Sequence, residues 1–240
     1  MESLHEEAVP HEFEEHFKYR NYMRDVVLGA NDGLVSVFAL VIGVAAGGLG
    51  PKQVLLTGIA GLVAGAISMA IGEYISTKSQ EEVYDSEKRL EQEHIKHHLD
   101  HEKEELYEFY SAKGFKGDIL DTIVETIASD EKVLLREMMM AEFGVLEEER
   151  RSPFTATAII GVAFALGSLP PVIPFLFANS TTSGMIMAFF LSVIGLFGIG
   201  GLKAKVTSMD IRKAGLENLV LGVLGAGVTY IIGLLIGQAI

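Results

Sequence analysis

At 240 residues, with no cysteine and a formal net charge of −13, the chain excludes disulfides, thiolate metal sites and cysteine nucleophiles. Its mean hydropathy of +0.34 averages two unlike regions. Most of the chain is long, uncharged and apolar, whereas Ser79 to Arg151 carries 21 Asp and Glu against 10 Lys and Arg, which is −11 of the total charge, together with His94, His97, His98 and His101.

In chain order, residues 1–24 form an acidic leader with three histidines and no apolar centre. No cleavable signal is expected there, so the first span is expected to act as its own insertion signal. The leader's His11-Glu-Phe-Glu-Glu-His16 suits a metal site or, as a plainer alternative, a solvated acidic segment. Gly33 to Pro51 and Gln53 to Gly72 are then free of charge, and Leu49-Gly50-Pro51-Lys52 between them is a turn signal. From Ser152 to Leu202 there are 51 consecutive uncharged residues, interrupted only by the polar Ala178 to Gly184, and Asn218 to Ile240 is uncharged as well. A crossing needs about 20 apolar residues. These stretches predict five spans, near 26–48, 53–77, 154–177, 184–204 and 217–239. Pro170, Pro171 and Pro174 are expected to break or kink the end of the third.

The fold class predicted is an all-α integral membrane protein of five transmembrane helices, with a cytoplasmic helical metal-binding domain inserted between helices 2 and 3. Its parts are the leader 1–24, helices 1–2 in 25–78, the inserted domain 79–151 and helices 3–5 in 152–240. Lys18, Arg20 and Arg24, the basic residues of the central block, and Lys203, Lys205, Arg212 and Lys213 fall on one side of this layout, and the other side has Lys52. The positive-inside rule therefore predicts a cytoplasmic N-terminus and acidic block, with the C-terminus on the far side.

Ionisable groups inside spans are costly and point to function by default. Asp32 lies in span 1 within Gly29-Ala-Asn-Asp-Gly33, and Glu73 near the end of span 2. The plainer alternative is that each ends a helix at the water interface. Against that, Gly61, Gly65, Met69 and Glu73 recur every four residues on one helical stripe, where small residues admit a close neighbour. A thioether beside carboxylates favours transition metals over Mg²⁺ or Ca²⁺.

Between Ser79 and Lys113 there is no Pro or Gly, which predicts one long helix continuing out of span 2. A second helix is predicted over Asp118–Ser129 and a third from Asp130 to about Glu149, each opening on an Asp suited to capping. On the first, Glu87, Glu91, His94, His98, Glu102 (or His101), Glu105 and Glu108 follow helical spacing. Periodicity does not separate a ligand-bearing face from a solvated one balanced by Lys88, Arg89, Lys96 and Lys103. Glu91-x-x-His94 has the spacing used by di-iron bundles, but it occurs once where such a centre needs two. Met138, Met139 and Glu142 gather on the third helix.

Arg24-Asp-Val-Val-Leu-Gly-Ala-Asn-Asp-Gly-Leu34, Ala64-Gly-Ala-Ile-Ser-Met-Ala-Ile-Gly-Glu-Tyr74 and Met138-Met-Met-Ala-Glu-Phe-Gly144, in that order around an acidic helical block, resemble the vacuolar iron transporter family over about residues 20–240. The resemblance implies five spans, a homodimer in the lipid bilayer with the ion path at its interface, and exchange of cytosolic Fe²⁺ for H⁺. It implies an intramembrane metal site at Asp32 and Met69, and a cytoplasmic one at Glu91, Glu102, Glu105, Met138, Met139 and Glu142. Two positions depart from the plant-like pattern: Gly61 and His94 each stand where those members have a carboxylate. Glu73 is expected to supply the carboxylate missing at Gly61, and His94 to ligate as an imidazole. Mn²⁺ is the rival cargo. No catalytic residue, prosthetic group or nucleic-acid partner is expected, and the membrane implied is vacuolar-type or a prokaryotic plasma membrane. Rival readings are a membrane-anchored, ferritin-like iron-binding or oxidising protein, for which carboxylates inside spans have no use, and a channel without proton coupling.

Overall fold

The computed structural model describes residues 11–144, 150–207 and 209–239. Helices α1 (His11–Ala46), α2 (Pro51–His97), α3 (Leu99–Ala112), α4 (Asp118–Ala128), α5 (Glu131–Phe143), α6 (Pro153–Gly167), α7 (Leu169–Val172), α8 (Pro174–Phe177), α9 (Thr181–Thr207) and α10 (Ile211–Ala239) account for nearly all of them. No strand occurs among the described residues. Five helical stretches are long and apolar enough to cross a membrane: Tyr22–Ala46, Pro51–His97, Pro153–Val172, Thr181–Lys205 and Ile211–Ala239. The last begins earlier than the predicted 217, because Arg212, Lys213 and Glu217 occupy its first turns. The third is interrupted as predicted: α6 stops at Gly167, and α7 and α8 each open with proline in the first turn. The leader's residues 1–10 lie outside the described residues, and the backbone is helical from His11 onward.

The contacts fall into two compact units, residues 1–75 with 152–240, and residues 76–151. In the first, α1 is the central helix. Leu34, Val37, Phe38, Val41 and Ile42 are buried along it. At its contacts glycines let backbone approach backbone: a Cβ on Gly29 would stand 2.6 Å from the Ile160 carbonyl, one on Gly33 would land on the Phe164 carbonyl, and one on Gly237 would stand 2.6 Å from the Gly47 carbonyl. The registers give the directions of the chain. Gly29 and Gly33 meet Ile160 and Phe164 in ascending order, so α1 and α6 run parallel, and Gly43 and Gly47 likewise pair with Gly233 and Gly237 of α10. By contrast Gly58 and Gly65 of α2 meet Val172 and Phe164 in descending order, and Gly200 and Leu196 of α9 meet Ala214 and Gly222. Helices alternate in direction, and the start of α1 and the end of α10 lie at opposite ends of this unit. Thr229 Oγ1 donates to the Ala39 carbonyl at 2.8 Å and Asn218 Nδ2 to the Leu196 carbonyl at 2.8 Å, satisfying polar groups within apolar spans.

Outward, α2 presents Leu56 (69% exposed), Val63, Ile67, Ile71 and Ile75. A continuous apolar stripe of this kind is suited to lipid or a second subunit rather than water. The close approach at Gly33 has a direct consequence. Gly33→Ala forces α1 off α6 and is expected to cost about 1 to 3 kcal/mol. Gly198→Ala, whose Cβ would meet nothing within 4 Å, serves as control. Melting of the detergent-solubilised protein checks both; equal melting temperatures would refute the close-packing argument.

In the second unit the predicted single helix from Ser79 to Lys113 is two. The break is at His98 (φ −137°, ψ 36°), whose carbonyl accepts from His101 N at 2.9 Å and Glu102 N at 3.2 Å to start α3. No Pro or Gly marks it, so composition gave no sign. Ile95, Leu106, Leu120, Val124, Leu134 and Met138 form the core that rewards this fold-back. Tyr110 Oη donates to Glu137 at 3.0 Å, Tyr107 Oη donates to Asp121 at 3.1 Å, and Lys103 pairs with Glu125 at 3.0 Å.

The cap expected at Asp118 is not made. Gly117 (φ 58°) precedes α4, and Asp118 sits in the first turn, where its charge favours the helix dipole. Asp130 does cap α5, accepting from Lys132 N at 2.8 Å and Val133 N at 3.3 Å. That helix ends at Phe143 rather than near Glu149: Gly144 (φ 64°) takes the left-handed conformation and its N–H bonds the Met140 carbonyl. Residues 145–149 lie outside the described residues.

Candidate metal sites

In the membrane-type unit, Asp32 of α1 and Met69 and Glu73 of α2 line one cavity of about 430 Å³ with Ser36, Ser68 and Phe164. Helical spacing explains how. Asp32 and Ser36 are one turn apart on α1, and Gly65, Met69 and Glu73 are successive turns of α2. Gly65 is needed at the wall because a Cβ there would run into the Phe164 ring. Residues bearing two carboxylates, a thioether and two hydroxyls thus line an open space large enough for a hydrated divalent ion. Gly61, at the far end of the same stripe, is not among the lining residues; its absent side chain is filled by Leu40. Ser36 and Ser68 escaped the sequence reading, although the i, i+4 relation of Ser36 to Asp32 was a visible signal.

The second site is built by the break at His98. Along a straight helix Glu91 and Glu102 would stand about 16 Å apart. Folded back, carboxylate oxygens of Glu91, Glu102 and Glu142 all lie within 4.8 Å of one another. Glu91 is 3% and Glu102 1% exposed. Glu91 Oε1 and Glu102 Oε2 have no hydrogen-bond partner among the described residues. Buried anions without a cation are unfavourable, and the site shows the expected response in its proton affinity. Burial above all, then a hydrogen bond with Glu102 and repulsion from Glu102, Glu142 and Glu105, pushes Glu91 up to about 8. Burial, a hydrogen bond with Glu105 and repulsion from Glu105, Glu102 and Glu87 push Glu142 up to about 7. Such a cluster holds either protons or a divalent cation.

Of the remaining predicted residues, Glu105 and His94 adjoin this group, whereas Met138 and Met139 are placed by their burial. Glu105 adjoins Glu142 through their hydrogen bond. His94 Nδ1 lies 3.8 Å from Glu102 Oε1, and His101 Nε2 lies 3.4 Å from Glu105 Oε1. Met138 is fully buried and belongs to the hydrophobic core of the unit, while Met139 is buried outside that cluster. Glu87 acts on the site by charge alone. His97 pairs instead with the exposed Glu93 at 3.5 Å.

Sequence comparison places the whole chain in a family. The family model described as "VIT family" matches residues 23–234. Vacuolar iron transporter 1 of Tulipa gesneriana is 30% identical over 90% of this chain and 88% of its own length. Vacuolar iron transporter 1 of Arabidopsis thaliana is 27% identical over 92% and 88%, and the vacuolar iron transporter of Toxoplasma gondii is 29% identical over 90% and 74%. A match that spans both the apolar helices and the acidic insert establishes that this five-span helical membrane protein belongs to the VIT family.

Proposed function

We propose that the protein exports a divalent transition metal, Fe²⁺ or Mn²⁺, from the cytosol in exchange for H⁺. The observation that carries this reading is the single cavity lined by Asp32, Met69 and Glu73. A membrane anchor for an iron-storing or iron-oxidising domain has no need of carboxylates there. The names of the relatives, all vacuolar iron transporters, support the same assignment.

In this reading the acidic unit faces the cytoplasm with the N-terminus, and its field concentrates cations at the intake end. Glu91, Glu102, Glu105 and Glu142, with His94, Met138 and Met139, capture the ion, which is then transferred to Asp32, Met69 and Glu73. Protons arriving from an acidic compartment, on the same side as the C-terminus, compete the metal off the same oxygens. That competition is the coupling, since one carboxylate oxygen does not hold both. The open apolar stripe on α2 supports a homodimer that closes the cavity with a second copy of the chain, within a vacuolar-type or prokaryotic plasma membrane. Proteoliposomes loaded with a pH-sensitive dye test the coupling. Fe²⁺ or Mn²⁺ entry is expected to drive H⁺ the opposite way, and metal movement without proton movement would reject antiport in favour of a channel.

A further inference from the structure

We infer that His94 and His101 are metal ligands that set the ion preference of the acidic site, biasing it away from Mn²⁺ and toward ions that favour nitrogen donors, such as Zn²⁺ and Co²⁺. The inference rests on the reading of this site as the intake point for metal. Its basis is that each imidazole adjoins a carboxylate of this cluster: His94 stands beside Glu102, and His101 beside Glu105, which is hydrogen-bonded to Glu142, with its other ring nitrogen 4.0 Å from Glu104. His94 Nδ1 is 3.8 Å from Glu102 Oε1, and His101 Nε2 is 3.4 Å from Glu105 Oε1. First-row ions hold nitrogen and oxygen at about 2.0 to 2.2 Å, so two donors on one ion stand about 3 to 4 Å apart. Both pairs already have that separation. The buried oxygens Glu91 Oε1 and Glu102 Oε2, which lack a partner among the described residues, supply the independent sign that something besides this chain completes the site.

Of the other imidazoles of this unit, that of His98 stands edge-on to His94 with ring centroids 6.4 Å apart, and no carboxylate of the cluster pairs with His97. His97 reaches Glu93, which is exposed and outside the carboxylate group, and His98 forms the helix break. Both proposed ligands keep access to solvent, with side chains 48% and 66% exposed, so replacing them leaves the core of the unit untouched. The chemical consequence follows from donor type. Carboxylate oxygen suits Mn²⁺ and Mg²⁺, whereas imidazole raises affinity along the series toward Co²⁺, Ni²⁺ and Zn²⁺.

The test is calorimetric titration of the full-length, detergent-solubilised protein with ZnCl₂, CoCl₂ and MnCl₂, comparing wild type, His94→Ala/His101→Ala and His97→Ala, with the visible spectrum of bound Co²⁺ recorded in parallel. The double variant is expected to lose at least about tenfold in Zn²⁺ and Co²⁺ affinity, to lose less than about threefold for Mn²⁺, and to shift the Co²⁺ bands. His97→Ala should match wild type. Unchanged Zn²⁺ binding in the double variant, an equal loss for Mn²⁺, or the same loss in His97→Ala overturns the inference while leaving a metal-binding intake site in place. If Glu91→Gln/Glu102→Gln binds every ion as wild type does, the intake reading itself falls.

Discussion

Proteoliposomes carrying Glu73→Ala are expected to lose metal transport by at least about a hundredfold, with the acidic unit still binding ions at its wild-type affinity. The size follows from removing one of the two carboxylates that line the membrane cavity. A divalent ion leaving water needs its charge balanced, and each tenfold in affinity is about 1.4 kcal/mol, less than the several kcal/mol at stake for a charge in a poorly hydrated space. Glu73→Gln should behave like Glu73→Ala, because the amide keeps shape but not charge, and Glu73→Asp should retain part of the activity. Asp32→Asn is expected to match Glu73→Ala, since both carboxylates face the same cavity. Near-normal transport by Glu73→Ala would remove Glu73 from the path. A further arm asks about Gly61: a Cβ there meets only the flexible end of Leu40, so Gly61→Glu is expected to fold once Leu40 changes rotamer. If charge anywhere along the stripe suffices, Glu73→Ala/Gly61→Glu regains transport; if the cavity wall is the required position, it does not.

Much of this arrangement is legible in the sequence. Runs of uncharged residues reveal spans because a charge inside lipid is costly, and the four-residue recurrence of Gly65, Met69 and Glu73 was enough to align them on one wall. What the stripe did not reveal was its end. Gly61 continues the spacing but turns onto Leu40, because a neighbour's side chain, which periodicity does not encode, decides where a cavity stops. The break at His98 was hidden for a related reason. Helix propensity from Ser79 to Lys113 is high throughout, and the chain folds back because Ile95, Leu106 and Leu134 gain more from a shared core than one turn loses in broken hydrogen bonding. The consequence for function is large. Spacing on a straight helix left a long ligand-bearing face and a solvated one undecided, while the folded unit draws Glu91, Glu102 and Glu142 into one compact group. Of the candidate ligands on the third helix, Met138 is buried in the hydrophobic core, a placement that sequence spacing has no means to show.

That compact group makes the acidic unit respond to pH in the opposite sense to most surface-acidic domains. Glu91 sits at about 8 and Glu142 at about 7, both raised from an ordinary value of 4.5. The folded form therefore holds more protons than the unfolded chain wherever the pH lies between these limits, and stability must fall as pH rises. The contribution is fully present below 4.5 and is lost as pH passes through about 7 for Glu142 and about 8 for Glu91. Metal-free protein, kept in chelator, is expected to show a melting temperature for this unit that declines from pH 5 to pH 8. Glu91→Gln removes that group's share, so the variant should be more stable than wild type at pH 8 and lose its advantage by pH 5. A divalent ion supplies the missing positive charge and binds only the folded unit, so it should restore the high-pH melting temperature by mass action. The same linkage fixes the affinity. Below pH 7 the ion must displace one or two protons, and its dissociation constant is expected to weaken by about tenfold to a hundredfold for each pH unit lost. Calorimetry with CoCl₂ in buffers of differing ionisation enthalpy counts the protons released. A melting temperature that rises with pH in the metal-free protein, or binding that releases no protons at pH 6.5, would show that Glu91 and Glu142 are charged before the ion arrives, and the shared-site account of capture would fail with them.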